Sequence, residues 1–212
     1  MFTPHPSLQL TELFSLKPYQ GAAPQEAKFL FIGLDANYDA RIQDMPIFPM
    51  ILEYHNDGVA FWKKYGVHHP FLLPGYNGDG KYYHQSFANI GFSPEHASQV
   101  SFIELLHIPT VGRNKLEVSD LNFFHLKRVN DVILNGKAQH IFIPSGVARL
   151  MFATGFFSWL KKKPACNESQ LGVYYRAGNK TVFSHLHFSN YGKFLEQKRR
   201  EALLINELIN NG

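Results

Sequence analysis

Two short segments hold the residue types best suited to chemistry. Gly33-Leu34-Asp35-Ala36-Asn37-Tyr38-Asp39 directly follows the apolar run Phe29–Ile32. A carboxylate at a strand end, beside a glycine that lets the chain turn, is placed to orient water or to stabilise a developing cation. The same pattern also suits an Asp that only closes a tight turn. The second segment, Ser184-His185-Leu186-His187-Phe188-Ser189-Asn190, ends the last apolar run. Residues two apart share one face of a strand, so His185 and His187 could ligate a metal together. No third ligand stands at a matching spacing, and the adjacent His68 and His69 would point apart on a strand. A neutral histidine donating a hydrogen bond to a ligand oxygen fits better than a metal site.

Two further places are weaker. Ile143-Pro144-Ser145-Gly146 places a serine at a strand-to-helix turn. It lacks the glycine two residues earlier that a nucleophile elbow needs, so Ser145 reads better as a helix cap. Phe48 sits in Met45-Pro46-Ile47-Phe48-Pro49, a stretch expected to be a loop. An aromatic there could stack on a planar ligand, or simply tuck onto the core.

Positioning these residues requires a frame. Phe29–Ile32, Val100–Leu106, His140–Pro144 and Thr181–His187 are short runs rich in Phe, Ile and Val, and they read as buried strands. Helical patterns lie between them. One is capped by Asp57 and stopped by Gly66, one starts at Ser119 or Asp120 and ends at Asn135-Gly136, and one starts at Ser145. A last helix is expected from about Tyr191 to Leu208. Alternating strands and helices imply an α/β fold, a three-layer α/β/α sandwich around a central four-stranded, mainly parallel sheet. Ligands in such folds bind beyond the carboxyl ends of the strands, where both segments above would lie. The segment 71–92, with many Gly, Tyr and Asn, is expected to be a surface insertion in a single domain spanning 1–212.

Composition limits the classes. The chain has 212 residues, 45% hydrophobic and 18% charged, which describes an ordinary globular chain and not a disordered one. One cysteine, Cys166, excludes an internal disulfide framework, a cysteine-built zinc finger and a four-thiolate iron–sulfur cluster. A net charge of +4 permits a polyanionic partner without requiring one. The N-terminus lacks a basic stretch followed by an apolar run, and no apolar stretch reaches the ~20 residues a membrane span needs. A cytoplasmic chain without a membrane partner is the expectation.

The order of these features resembles the uracil-DNA glycosylase superfamily, and most closely its mismatch-specific uracil/thymine branch. Gly33-Leu34-Asp35 is similar to the first family motif, and Phe48 follows where the family places a base-stacking Phe. Phe61-Trp62-Lys63 resembles the Phe-Trp pair at a helix start. Ile103-Glu104-Leu105-Leu106-His107-Ile108-Pro109-Thr110 resembles the branch's strand and Pro-Thr turn. Phe142-Ile143-Pro144-Ser145-Gly146 is similar to a strand ending in a small-residue turn, and His187-Phe188-Ser189 to the second motif. Together these cover about residues 29–192. Ala36 and Phe188 stand where the family usually has Pro, and Asn37 where Tyr or Gly is common. A register shift of two would make His185 the motif histidine instead of His187.

The resemblance implies a DNA glycosylase that hydrolyses the N-glycosidic bond of uracil, or of a related deaminated or mismatched base, flipped out of DNA for base-excision repair. It implies Asp35 and His187 as the catalytic pair. Gly33, Leu34, Asn37, Phe48 and His185 would form the base pocket. Arg113, Asn114, Ser145, Gly146, Ser189, Asn190 and Lys193 would contact DNA phosphates. It implies a monomer acting on duplex or single-stranded DNA, with no cofactor and no metal. The departures at Ala36 and Phe188 motivate an alternative, a nucleic-acid or nucleobase binding protein with weak catalysis on the same fold. An esterase-like hydrolase using Ser145 is a third reading.

Overall fold

A computed structural model describes residues 2–112, 115–165 and 171–211. Strand β1 (Thr3–Pro4) and helix α1 (Leu8–Leu16) lead to β2 (Tyr19–Gly21), β3 (Phe29–Gly33) and β4 (Asn37–Tyr38). Helices α2 (Phe48–Asn56), α3 (Gly58–Tyr65) and α4 (Lys81–Ala88) follow. Next come β5 (Val100–Glu104), β6 (Thr110–Val111), α5 (Phe123–Asn135), β7 (His140–Pro144) and α6 (Ser145–Ala153). The hairpin β8 (Gly172–Ala177) and β9 (Lys180–His185) precedes α7 (Leu195–Asn210).

The fold is mixed α/β with a mostly parallel central sheet of order β2-β5-β3-β7-β9-β8. Strands β5, β3, β7 and β9 run parallel and correspond to the four apolar runs of the sequence. The sheet has six strands, not four, because β2 and β8 add antiparallel edges. Edge strands bury less of each side chain, so neither forms an apolar run. A second, small sheet joins β1, β6 and β4.

Alternation along the parallel strands feeds two separate apolar clusters, because successive side chains point to opposite faces. Leu30, Ile32, Ile103, Ile141 and Val182 pack with Val129, Val132 and Ile133 of α5 and with Val147 and Met151 of α6. Phe29, Phe31, Val100, Phe142 and Phe183 pack instead with Trp62 of α3, Phe87 of α4 and Ile205 and Ile209 of α7. A third cluster gathers Leu10, Phe14, Tyr38, Ile42, Phe48, Ile51, Phe71 and Tyr76. Burying aromatic side chains of this size stabilises by roughly 1.5–3 kcal/mol each.

Helix ends follow local chemistry. The Asp57 side chain accepts from the amides of Val59 and Ala60, and Gly66 at φ +74° stops α3. Asn122, not Ser119 or Asp120, caps α5; those two belong to a 3-10 turn just before it. Ser145 is the first residue inside α6, after Pro144, and makes no capping bond.

Segment 71–92, expected at the surface, sends several large side chains into the core. Phe87 is fully buried, and Phe71, Ile90 and Phe92 are buried with it. Phe71 and Tyr76 join the third cluster, while Phe87 of α4 and the following Ile90 and Phe92 join the second. No helix of the described residues is long and apolar enough to cross a membrane.

Candidate active site

The site forms where β3, β5 and β9 end. Gly33, last in β3, pairs in register with Glu104, last in β5. A Cβ on Gly33 would overlap the Glu104 carboxyl, so glycine is needed there for close approach rather than for an unusual backbone angle. Beyond Gly33 the chain stays tied to its neighbour: Leu105 and Leu106 donate their amides to Gly33 and Leu34 carbonyls, both at 3.0 Å.

Asp35 follows, half-buried, and accepts a hydrogen bond from the hydroxyl of Thr110. Thr110 is fully buried in β6 and pairs with Asn37 of β4. The Asn37 side-chain amide donates to the Thr110 hydroxyl oxygen at 3.0 Å and to the Gly112 carbonyl at 2.6 Å. Both amide hydrogens are thereby used, which leaves the Asn37 side-chain oxygen as its group for a ligand. The small sheet is thus a clamp that aims the Asp35 carboxylate.

His187 lies beyond the end of β9, in the turn after it, and is half-buried. Its Nδ1 accepts from the Ser189 amide at 3.3 Å and lies 2.6 Å from the Ser189 hydroxyl. An amide only donates, so in the neutral ring the proton sits on Nε2, which is a donor. Burial lowers the pKa of His187, and the Asp35 carboxylate acts on it in the opposite sense. Tyr83 of α4 lies against the ring, centroids 5.3 Å apart.

Helix α7 grips this turn from both ends. Glu201 accepts the Leu186 amide at 2.6 Å. Lys198 donates to the carbonyls of Phe188 and Asn190, at 3.1 and 2.8 Å, and to the hydroxyls of Tyr82 and Ser86 on α4. Phe188 is buried against Phe31 and Phe87 and within 4.9 Å of the His185 ring.

His185 itself is a core residue. It is buried against Phe31, Phe142 and Phe188, its Nδ1 has no partner among the described residues, and burial pushes its pKa down to about 3. It does not share a face with His187, because β9 ends between them. Phe48 is not in a loop; it opens α2 and is 8% exposed inside the third cluster. Leu34 is half-buried against the first cluster. Ser145 and Gly146 are exposed at the end of β7, whose Pro144 pairs with His185. Ser189 and Lys193 are exposed, and Asn190 is half-buried with its carbonyl on Lys198. Arg113, Asn114 and Cys166 lie outside the described residues.

Reading the sequence missed Glu104, Thr110, Tyr83 and the two α7 residues. Glu104 had left a signal: an acid inside the apolar run Val100–Leu106 is costly unless it serves a purpose. Burial, with Asp35 nearby, raises its pKa to about 8. Near neutral pH it therefore holds its proton.

A histidine group lies beyond Tyr83. His69 and His84 stack with centroids 3.5 Å apart, and His68 Nε2 is 3.1 Å from His84 Nδ1. Burial lowers the pKa of all three, so they are neutral. Among the described residues no group of three His, Cys, Asp or Glu side chains is arranged to hold a metal ion. No protein-family model matches this chain, and no curated protein matches it.

Proposed function

We propose that this chain is a DNA glycosylase that hydrolyses the N-glycosidic bond of uracil, or of a related deaminated or mismatched base, in DNA. One observation carries the reading: a clamped carboxylate, Asp35, interacts electrostatically with a histidine, His187, whose Nδ1 is taken by Ser189 so that Nε2 bears the proton. Breaking a base from deoxyribose develops positive charge on the sugar and negative charge on the base. Asp35 stabilises the first and orients water; His187 donates to a base carbonyl and stabilises the second. The target base must leave the helix, which costs a few kcal/mol. Exposed Ser189, Lys193, Ser145 and Gly146 are the groups assigned to phosphate contact, and these offset part of that cost.

Of the three departures from the family pattern, those at Ala36 and Phe188 lie in packed surroundings. Phe188 is buried in the second cluster, and Ala36 packs against the third. The three-layer α/β/α arrangement belongs to the same reading, with α5 and α6 on one face and α3, α4 and α7 on the other.

The test is release of free base from a panel of duplexes containing uracil, thymine opposite guanine, hypoxanthine or xanthine. Release that is lost in Asp35→Ala supports the reading. Salt-sensitive DNA binding without release from any duplex replaces it with a binding protein on the same fold. Labelling of Ser145 by an acylating probe would instead favour an esterase.

A further inference from the structure

We infer that Glu104 is a second catalytic residue of this site, a general acid that donates a proton to the departing base while Asp35 works as a carboxylate. The inference takes its substrate from the glycosylase reading and adds a residue to it. The geometry comes from the sheet. Glu104 ends β5 beside Gly33, and its carboxyl fills the space that any side chain at 33 would need. By strand alternation it belongs to the face of Val100 and Phe102. It stands where the parallel strands open toward the turn bearing Asp35.

Among the described residues, the charged group that acts on it is another acid. Asp35 from the turn after β3, Tyr38 from β4, Tyr54 from α2 and Tyr83 from α4 all interact with it electrostatically. His125 of α5 reaches only the Glu104 main-chain carbonyl, at 2.7 Å. No hydrogen bond or ion pair to its carboxyl is found among the described residues. A desolvated carboxyl beside a second acid keeps its proton, and burial together with Asp35 accounts for that here. Two carboxyls with environments this different divide naturally into an acid and a base.

The step balances. The C1′–N bond breaks, its electron pair goes to the base, and the Glu104 proton passes to the base. The water oxygen bonds to C1′ and its proton goes to Asp35. That proton then returns to Glu104, restoring both groups, and the products are free base and an abasic sugar. His187 keeps its role as a hydrogen-bond donor throughout.

The experiment is single-turnover base release from uracil and hypoxanthine duplexes as a function of pH, for the full chain and for Glu104→Gln. It is paired with a carbon-13 titration of the Glu104 carboxyl in the free protein. The expected result is a carboxyl titrating near 8, with release falling tenfold per pH unit above it. In Glu104→Gln, release at neutral pH drops ~10²-fold and the alkaline fall disappears. A carboxyl that titrates in the ordinary glutamate range overturns the inference whether or not the variant folds. Release with an unchanged rate and alkaline limb in Glu104→Gln overturns this inference alone and leaves the glycosylase reading standing. Absence of release by the native chain from every duplex overturns both.

Discussion

The amide of Ser189 donates to Nδ1 of His187 at 3.3 Å, and this one contact decides which ring nitrogen bears the proton. The ring is therefore presented as a neutral donor through Nε2 before any ligand arrives. His187→Ala removes that donor, and base release is expected to fall by ~10²–10³-fold. Ser189→Ala keeps the amide and loses only the hydroxyl, so a fall of about tenfold or less is expected. His185→Leu touches neither contact. It removes a buried nitrogen with no partner among the described residues, and release should stay within about tenfold while the protein gains resistance to acid. Measured rates for the three variants identify the working histidine.

On the proposed glycosylase reading, Asp35→Ala is expected to reduce base release by ~10³-fold or more, because a developing sugar cation would lose its counter-charge. Thr110→Val keeps shape and burial but removes the hydroxyl that orients Asp35. Its expected loss is smaller, about tenfold, and should appear in the chemical step measured by single turnover rather than in DNA binding.

Stability should respond to pH on two slopes. His84 and His185 have pKa values near 3, and His55 and His140 near 4, all lowered chiefly by burial. Unfolded, these groups bind protons below about 6.5, so their stabilising contribution is complete above that pH and is lost as pH falls toward 3. Glu104 acts oppositely, since its folded pKa of about 8 is raised. Its contribution is complete below the unfolded value of about 4.5 and is lost as pH rises toward 8. Urea melts across this range should show both trends, and Glu104→Gln should flatten only the rising-pH one.

Lys198→Met replaces a cation that joins α4, the 187–190 turn and α7. The stem volume is kept, while four oxygens lose a donor. A loss of roughly 1–3 kcal/mol in stability is expected. Faster hydrogen exchange at the amides of Ser189 and Asn190 should accompany it, with base release lowered because His187 is held less firmly.

Much of this arrangement is legible in the order of residues. Phe29–Ile32, Val100–Leu106, His140–Pro144 and Thr181–His187 mark the parallel strands because strands covered on both faces need continuous apolar runs. Tyr19–Gly21 and Gly172–Ala177 leave no such trace, because edge strands are only partly buried. The two-residue strands of the small sheet carry no periodicity at all, so the clamp of Thr110 on Asp35 was invisible. Segment 71–92 misleads for a related reason. Its glycines and polar residues draw the eye, yet Phe87, with Tyr83 on the same helix, commits α4 to the core. Asp35 and His187 stand out because each ends an apolar run. Lys198 and Glu201 look like ordinary members of a charged helix face, and only the tertiary fold brings the turn to them.

The grip of α7 on the His187 turn has a consequence for biosynthesis. Asp35 and its strand leave the ribosome well before Lys198 and Glu201, which follow more than 150 residues later. A nascent chain thus carries its carboxylate long before its histidine is anchored. The turn that carries His187 therefore takes its final shape only after α7 has been made.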